Sequence, residues 1–160
     1  MYDAESLLDI HERAHRNHAA LLAHCRGFDT ASIDRELEGF GYPTIRLQLI
    51  HGIGAELYWI SVLEGKMDAR DRDDEFRTVE SIEGWRLEVA EATRRYLRSA
   101  TTDRLNTPAP FVTWGAGERV LMPARVVMRT VTHLYHHQGQ VVAMSRLLGR
   151  PASGLDFPIG

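Results

Sequence analysis

The stretch THLYHHQGQ, Thr132 to Gln140, places three histidines within five positions of a long helical pattern. At about 100° per residue, His133 and His137 are an i, i+4 pair whose rings meet one turn apart on one face. His137 falls in the apolar sector of Val127, Thr130, Leu134, Val141 and Leu148, with His133 at its edge. His136 falls on the far side with Arg125 and Arg129 and is expected to face solvent. Two imidazoles are an incomplete metal site, and a stable one wants a third ligand from another element. His51 is the candidate. In TIRLQLIHGIGAELYWISVLEG it lies near the centre of the stripe of Leu47, Ala55, Tyr58 and Val62, as the only ionisable group on that line. Burying a lone imidazole is costly unless its nitrogens are satisfied, by a metal or, as the plainer alternative, by a backbone carbonyl. Gly52 and Gly54 flank it, each costing a helix up to ~1 kcal/mol relative to alanine. Thin backbone there implies close helix packing or room for a ligand.

A rival set sits near the N-terminus. His11, His15 and His18 recur at i, i+4, i+7 on the stripe of Leu7, Leu8, Ala14, Leu22 and Cys25. Three readings stay open for them: hydrogen-bonded boundary histidines, lining of a pocket above the metal, or metal ligands themselves. The expected pocket is therefore His15, His18, Tyr58 and Trp114, the last as a cap at a hairpin tip. Tyr58, Trp59 and Trp85 are otherwise core candidates. Cys25 faces inward and reads as a small hydrophobe rather than a nucleophile. The chain has no phosphate-binding glycine loop, no Gly-x-Ser-x-Gly elbow and no Cys-x-x-Cys. No catalytic residue can be named.

These residues need a scaffold, and the periodicity predicts one. A first helix runs from about Asp3, its expected N-cap, to Arg26, with Gly27 as its stop. A second begins with Pro43 in its first turn and ends at Gly65. KMDARDRDDEF is a charged connection. A third helix starts near Thr78, and FVTWGAGERVLM reads as two short strands around Gly-Ala-Gly. The last helix runs from Pro123 to the stop at Gly149 and Pro151. Four amphipathic helices of this length predict an all-α fold, an antiparallel four-helix bundle with a short β-hairpin before the last helix. The 160 residues are expected to form a single domain.

Bulk composition narrows the function classes. A formal charge of -3 offers no basic face for nucleic acid and no polybasic tract for a membrane. No apolar run approaches the roughly 18 residues needed to span a bilayer. A single cysteine excludes an internal disulfide framework, and MYDAESLLDI lacks the basic start of a signal peptide, so a cytoplasmic location is expected.

LQLIHGIGAELYWISVLEG, followed much later by THLYHHQGQVVAMSRLLGRP, resembles the DinB family, also described as DinB/YfiT-like. That family pairs a histidine on its second helix with His-x-x-x-His on its last, followed by Gly-Gln and a Leu-Gly ending, here Gly139-Gln140 and Leu148-Gly149. The resemblance covers essentially the whole chain in its order of elements. It implies a four-helix bundle with an unusual helix order, often a homodimer, and His51, His133 and His137 as ligands of zinc or nickel, with iron also compatible. It departs at Gln138, where many members carry arginine. Similar proteins include S-transferases that use low-molecular-weight thiols, so a small-molecule substrate and a thiol cofactor are implied.

A divalent ion on three neutral imidazoles can lower a water's pKa from 15.7 toward ~7, or convert a thiol of pKa ~8.5 to thiolate. On its helix wheel Glu56 points well away from His51, so no carboxylate base is offered for hydrolysis. The expectation is metal-activated thiol transfer to a small electrophile. The alternatives are a non-catalytic metal- or ligand-binding stress protein, or metal-assisted hydrolysis.

Overall fold

The computed structural model describes residues 1–70, 72–152 and 155–159. In chain order the elements are α1 (Ala4–Cys25), α2 (Thr30–Ile33), α3 (Ile45–Leu63), α4 (Val79–Ser99), α5 (Thr102–Asn106), β1 (Ala109–Thr113), β2 (Gly117–Leu121) and α6 (Pro123–Leu147). The four long helices form the expected all-α bundle, and β1 and β2 pair antiparallel as the expected hairpin. The short helices α2 and α5 carry too few residues to show a period and were not expected.

Local chemistry sets the helix ends. The Asp3 carboxylate accepts from the Ser6 amide at 2.8 Å, and Thr78 and Ser81 form a capping box at α4. Pro123 occupies the first turn of α6, where its missing N–H leaves no carbonyl unpaired. The start of α3 differs from expectation. Thr44 is the N-cap, its hydroxyl accepting from the Leu47 amide at 3.1 Å, so Pro43 stands just outside the helix.

α3 packs against α4 and α6, and α1 packs against the same two helices, so α1 and α3 stand diagonally across the bundle. One apolar cluster joins the end of α1 (Leu21, Leu22) to the starts of α3 and α4 and the end of α6 (Val141, Met144). The other joins the start of α1 (Leu7) to the ends of α3 and α4 and the start of α6. α3 and α4 therefore run parallel, as do α1 and α6, the unusual order that the family resemblance implies. The connection between α3 and α4 must travel back along the bundle.

Between the two apolar clusters lies a polar layer. Glu56 is only 2% exposed. Its carboxylate accepts from His11 Nε2 and His15 Nε2, both at 2.8 Å, and from the Thr93 hydroxyl at 2.6 Å. The buried Arg86 guanidinium donates to His15 Nδ1 at 3.1 Å. A guanidinium has only N–H groups to offer, so His15 Nδ1 carries a lone pair and the proton sits on Nε2. Burial lowers the His15 pKa, which keeps the ring neutral. Burial alone would raise Glu56, but the imidazoles of His15 and His11 outweigh it and hold the carboxyl well below the usual range. Glu56 is thus an ionised brace between diagonal helices. The helix wheel places it correctly off the His51 face but misses its partners.

Removing this brace strands two imidazole N–H groups and a hydroxyl in the core. Glu56→Ala should lower the unfolding free energy by about 3–5 kcal/mol, measured by urea denaturation followed by circular dichroism. A loss under about 1 kcal/mol would show that the brace contributes nothing net.

The pH dependence has a definite sign. His15 and Glu56 both bind protons less readily in the folded chain, against ordinary values of 6.5 and 4.5. The unfolded chain therefore takes up the extra protons, and stability falls with pH. Burial of His18, whose pKa drops to about 3, acts in the same direction. The thermal midpoint should be flat above about pH 7, decline below about 6.5 and fall more steeply below about 4.5. A midpoint unchanged from pH 7 to pH 4 would contradict a neutral His15 beside an ionised Glu56.

Candidate metal centre and adjoining cavity

α3 and α6 approach closely where the first histidine group lies. Gly52 lies in this contact: a Cβ added there would touch the His137 Cβ at 3.4 Å and a Leu134 methyl at 3.5 Å. His51 from α3 and the i, i+4 pair from α6 then point their Nε2 atoms at one another. His133 Nε2 is 3.3 Å from His51 Nε2 and 3.2 Å from His137 Nε2. His137 is buried and the other two are half-buried.

Two neighbours position these rings. The Gln48 side chain donates through Nε2 to the Tyr42 carbonyl at 2.8 Å, which turns its Oε1 toward His137 Nδ1 at 2.6 Å. A carbonyl oxygen only accepts, so His137 carries its proton on Nδ1 and a lone pair on Nε2. The Tyr42 ring stacks on His51 with centroids 4.0 Å apart. Burial, together with the positive charge each ring would impose on the others, pushes His133 down to about 4 and His137 to about 3. Burial, with His136 nearby, also lowers His51. All three rings are neutral at pH 7.

Among the described residues two groups have ligand atoms within 4.8 Å of one another and can hold a metal ion: His51, His133 and His137, and His11, His15 and Glu56. Their chemistry differs. In the second group every short contact is a donor meeting an acceptor, and Arg86 fixes the His15 proton on the nitrogen that would have to bind metal. In the first group three nitrogens face one another, and a proton on His133 can be shared with only one neighbour. The first group is the one left with lone pairs converging on a point.

His51 and His133 also line a cavity of about 420 Å³, within the range of small-molecule sites. Its walls include Tyr42, Tyr58, Trp59 and Trp114, with Arg129 from α6 and Asp68, Arg72 and Asp73 from the returning connection. The Trp114 amide donates to the Tyr58 hydroxyl at 2.9 Å, which ties the hairpin tip to the cavity wall. The Trp114 indole stays 74% exposed.

Of the pocket residues expected from sequence, Tyr58 and Trp114 line this cavity. His15 and His18 do not. They lie in the core, with His15 bound to Glu56 and His18 fully buried on α1. His136 is exposed. Cys25 is buried, which pushes its thiol up to about 12. Gln138 is buried and donates to the Leu155 carbonyl, so it anchors the C-terminal segment to α6. Sequence reasoning missed Gln48, although it stands at i−3 from His51, the spacing that puts two side chains on one helix face.

No helix among the described residues is long and apolar enough to cross a membrane. No curated protein matches the chain. The family model described as DinB family matches residues 1–159. With the match running over nearly the full length, the chain belongs to the DinB family.

Proposed function

We propose that His51, His133 and His137 hold one divalent metal ion, and that this centre serves a thiol-dependent transfer to a small electrophile in the adjoining cavity. The observation that carries the reading is the convergence of three neutral Nε2 atoms at the edge of an aromatic-walled cavity. Their separations of 3.2 and 3.3 Å match the edge of a tetrahedron with metal–nitrogen bonds of 2.0–2.1 Å, about 3.3–3.4 Å. Zinc, nickel and iron all accept such a donor set. Bound there, the ion supplies Lewis acidity that lowers the pKa of a thiol or water.

The chain's own residues do the rest. Gln48 fixes the tautomer of His137, and Tyr42 holds the plane of His51. The aromatic wall of Tyr58, Trp59 and Trp114 desolvates an apolar electrophile beside the two histidines that reach the cavity. In the transfer, the thiol loses its proton to solvent, its sulfur forms a bond to the electrophilic carbon, and that carbon's leaving group departs with the bonding pair.

The carboxylates near the cavity favour thiol over water as nucleophile. Glu56 is committed to the diagonal brace. The Asp68 carboxylate is held far below the usual range by hydrogen bonds from Arg70 and by the charge of Arg72, which makes it a weak base. Asp73 also lines the cavity and gives hydrolysis a specific foothold. Turnover of an ester or amide without added thiol would select that second reading.

Elemental analysis of untagged protein tests the ligand set. About one metal per chain is expected in the wild type, near zero in His137→Ala, and an unchanged value in His136→Ala and His11→Ala. Retention of metal by His137→Ala would remove the site. Gln48→Leu should weaken metal affinity about 10- to 100-fold, while Gln48→Glu, which keeps an acceptor at His137, should not. Competition with a chelating dye reads both. A screen of low-molecular-weight thiols against small electrophiles tests the chemistry: conjugates should form only with metal and thiol together. Metal binding without conjugation across the screen would favour a non-catalytic binding protein.

A further inference from the structure

The cations around the cavity are not equivalent. Arg70 pairs with Asp68 at 2.7 Å, and Arg72 pairs with Asp68 and Glu75, both at 3.0 Å. Arg129 is exposed and makes no ion pair among the described residues. Its guanidinium instead lies 5.4 Å from the centre of the Trp59 ring, on the cavity wall. Stacking on an aromatic face leaves the outward N–H groups of a guanidinium unused, and their planar fork fits a carboxylate.

Position strengthens this. Arg129 stands four residues before His133 on α6, so the two share a face about 6 Å apart along the helix. An anion held by Arg129 has its other end beside the histidine nitrogens if it is about one ring long. The intervening surface is aromatic: Trp59 lies under the guanidinium, and the exposed Trp114 indole stands on the same cavity.

We propose that Arg129 is the anchor of an anion subsite, and that the cavity takes a small planar or aromatic carboxylate, with its carboxylate on Arg129 and its ring on Trp59. The assignment deepens the reading above, which makes the three histidines the reaction centre. It names the carboxylate as the shared feature, carried either by the electrophile or by the thiol. Arg129 is a specificity-determining residue that touches the bound molecule away from the reacting atoms.

The test is an NMR titration of the full chain with benzoate and with its neutral counterpart benzamide, following the indole N–H signals of Trp59 and Trp114. It is run on protein as purified and after chelator treatment, so that carboxylate–metal bonding is separated from Arg129. Benzoate should bind on the order of tenfold more tightly than benzamide in both preparations. Arg129→Gln should bring the two within about twofold while leaving metal content unchanged. Equal affinities in the wild type, a preference that survives Arg129→Gln, or shifts confined to signals other than Trp59 would each overturn the subsite. Competition by N-acetylcysteine but not its amide places the carboxylate on the thiol. Benzoate competition without preference among thiols places it on the electrophile. Because the chelator-treated arm needs no metal, loss of the metal reading through His137→Ala and loss of the anion subsite are separate results.

Discussion

Helix α3 has almost no face turned to water, and this constraint shapes the middle of the molecule. A buried helix can carry a polar side chain only where a neighbouring helix supplies the complementary group. Three that α3 carries, Gln48, His51 and Glu56, are each answered differently. Glu56 meets donors from α1 and α4. Gln48 bridges the Tyr42 carbonyl and His137. His51 meets two other histidines and gains from them no settled hydrogen bond.

The contrast between the two histidine groups follows from where the protons can sit. Around Glu56 every proton has a single sensible position, because Arg86 can only donate and a carboxylate can only accept. The carboxylate at its centre is fully partnered, and the network's energy goes into holding diagonal helices in register. Around His51 the same assignment leaves lone pairs unmatched. The contacts to Glu56 are also the shorter, 2.6–2.8 Å against 3.2–3.3 Å between the histidines. The direction of the donors is what separates a brace from a ligand set.

Much of this was legible in the sequence. The i, i+4 spacing of His133 and His137 fixes their common face whatever surrounds them, and Gly115 and Gly117 mark the hairpin. The role of Glu56 was hidden because wheel reasoning assumes that a residue opposite the apolar stripe meets solvent. α3 violates that assumption by being buried on nearly every side. Gln48 was hidden for a related reason: a neutral polar residue near a helix start normally reads as solvated. The helix order could not come from periodicity, which is blind to direction. The resemblance implied it, and the long return between Leu63 and Val79 allows it.

The bond between the Trp114 amide and the Tyr58 hydroxyl has a mechanical consequence. Tyr58 belongs to the rigid core helix, whereas Trp114 sits at the turn of a two-stranded ribbon whose tip is largely bare. The phenol oxygen accepts from the ribbon and still has its own O–H to offer, so a guest in the cavity can bond to Tyr58 without freeing the turn. One backbone bond thus holds the hairpin tip to the cavity wall, and it leaves the bare indole where a bound guest would change its surroundings.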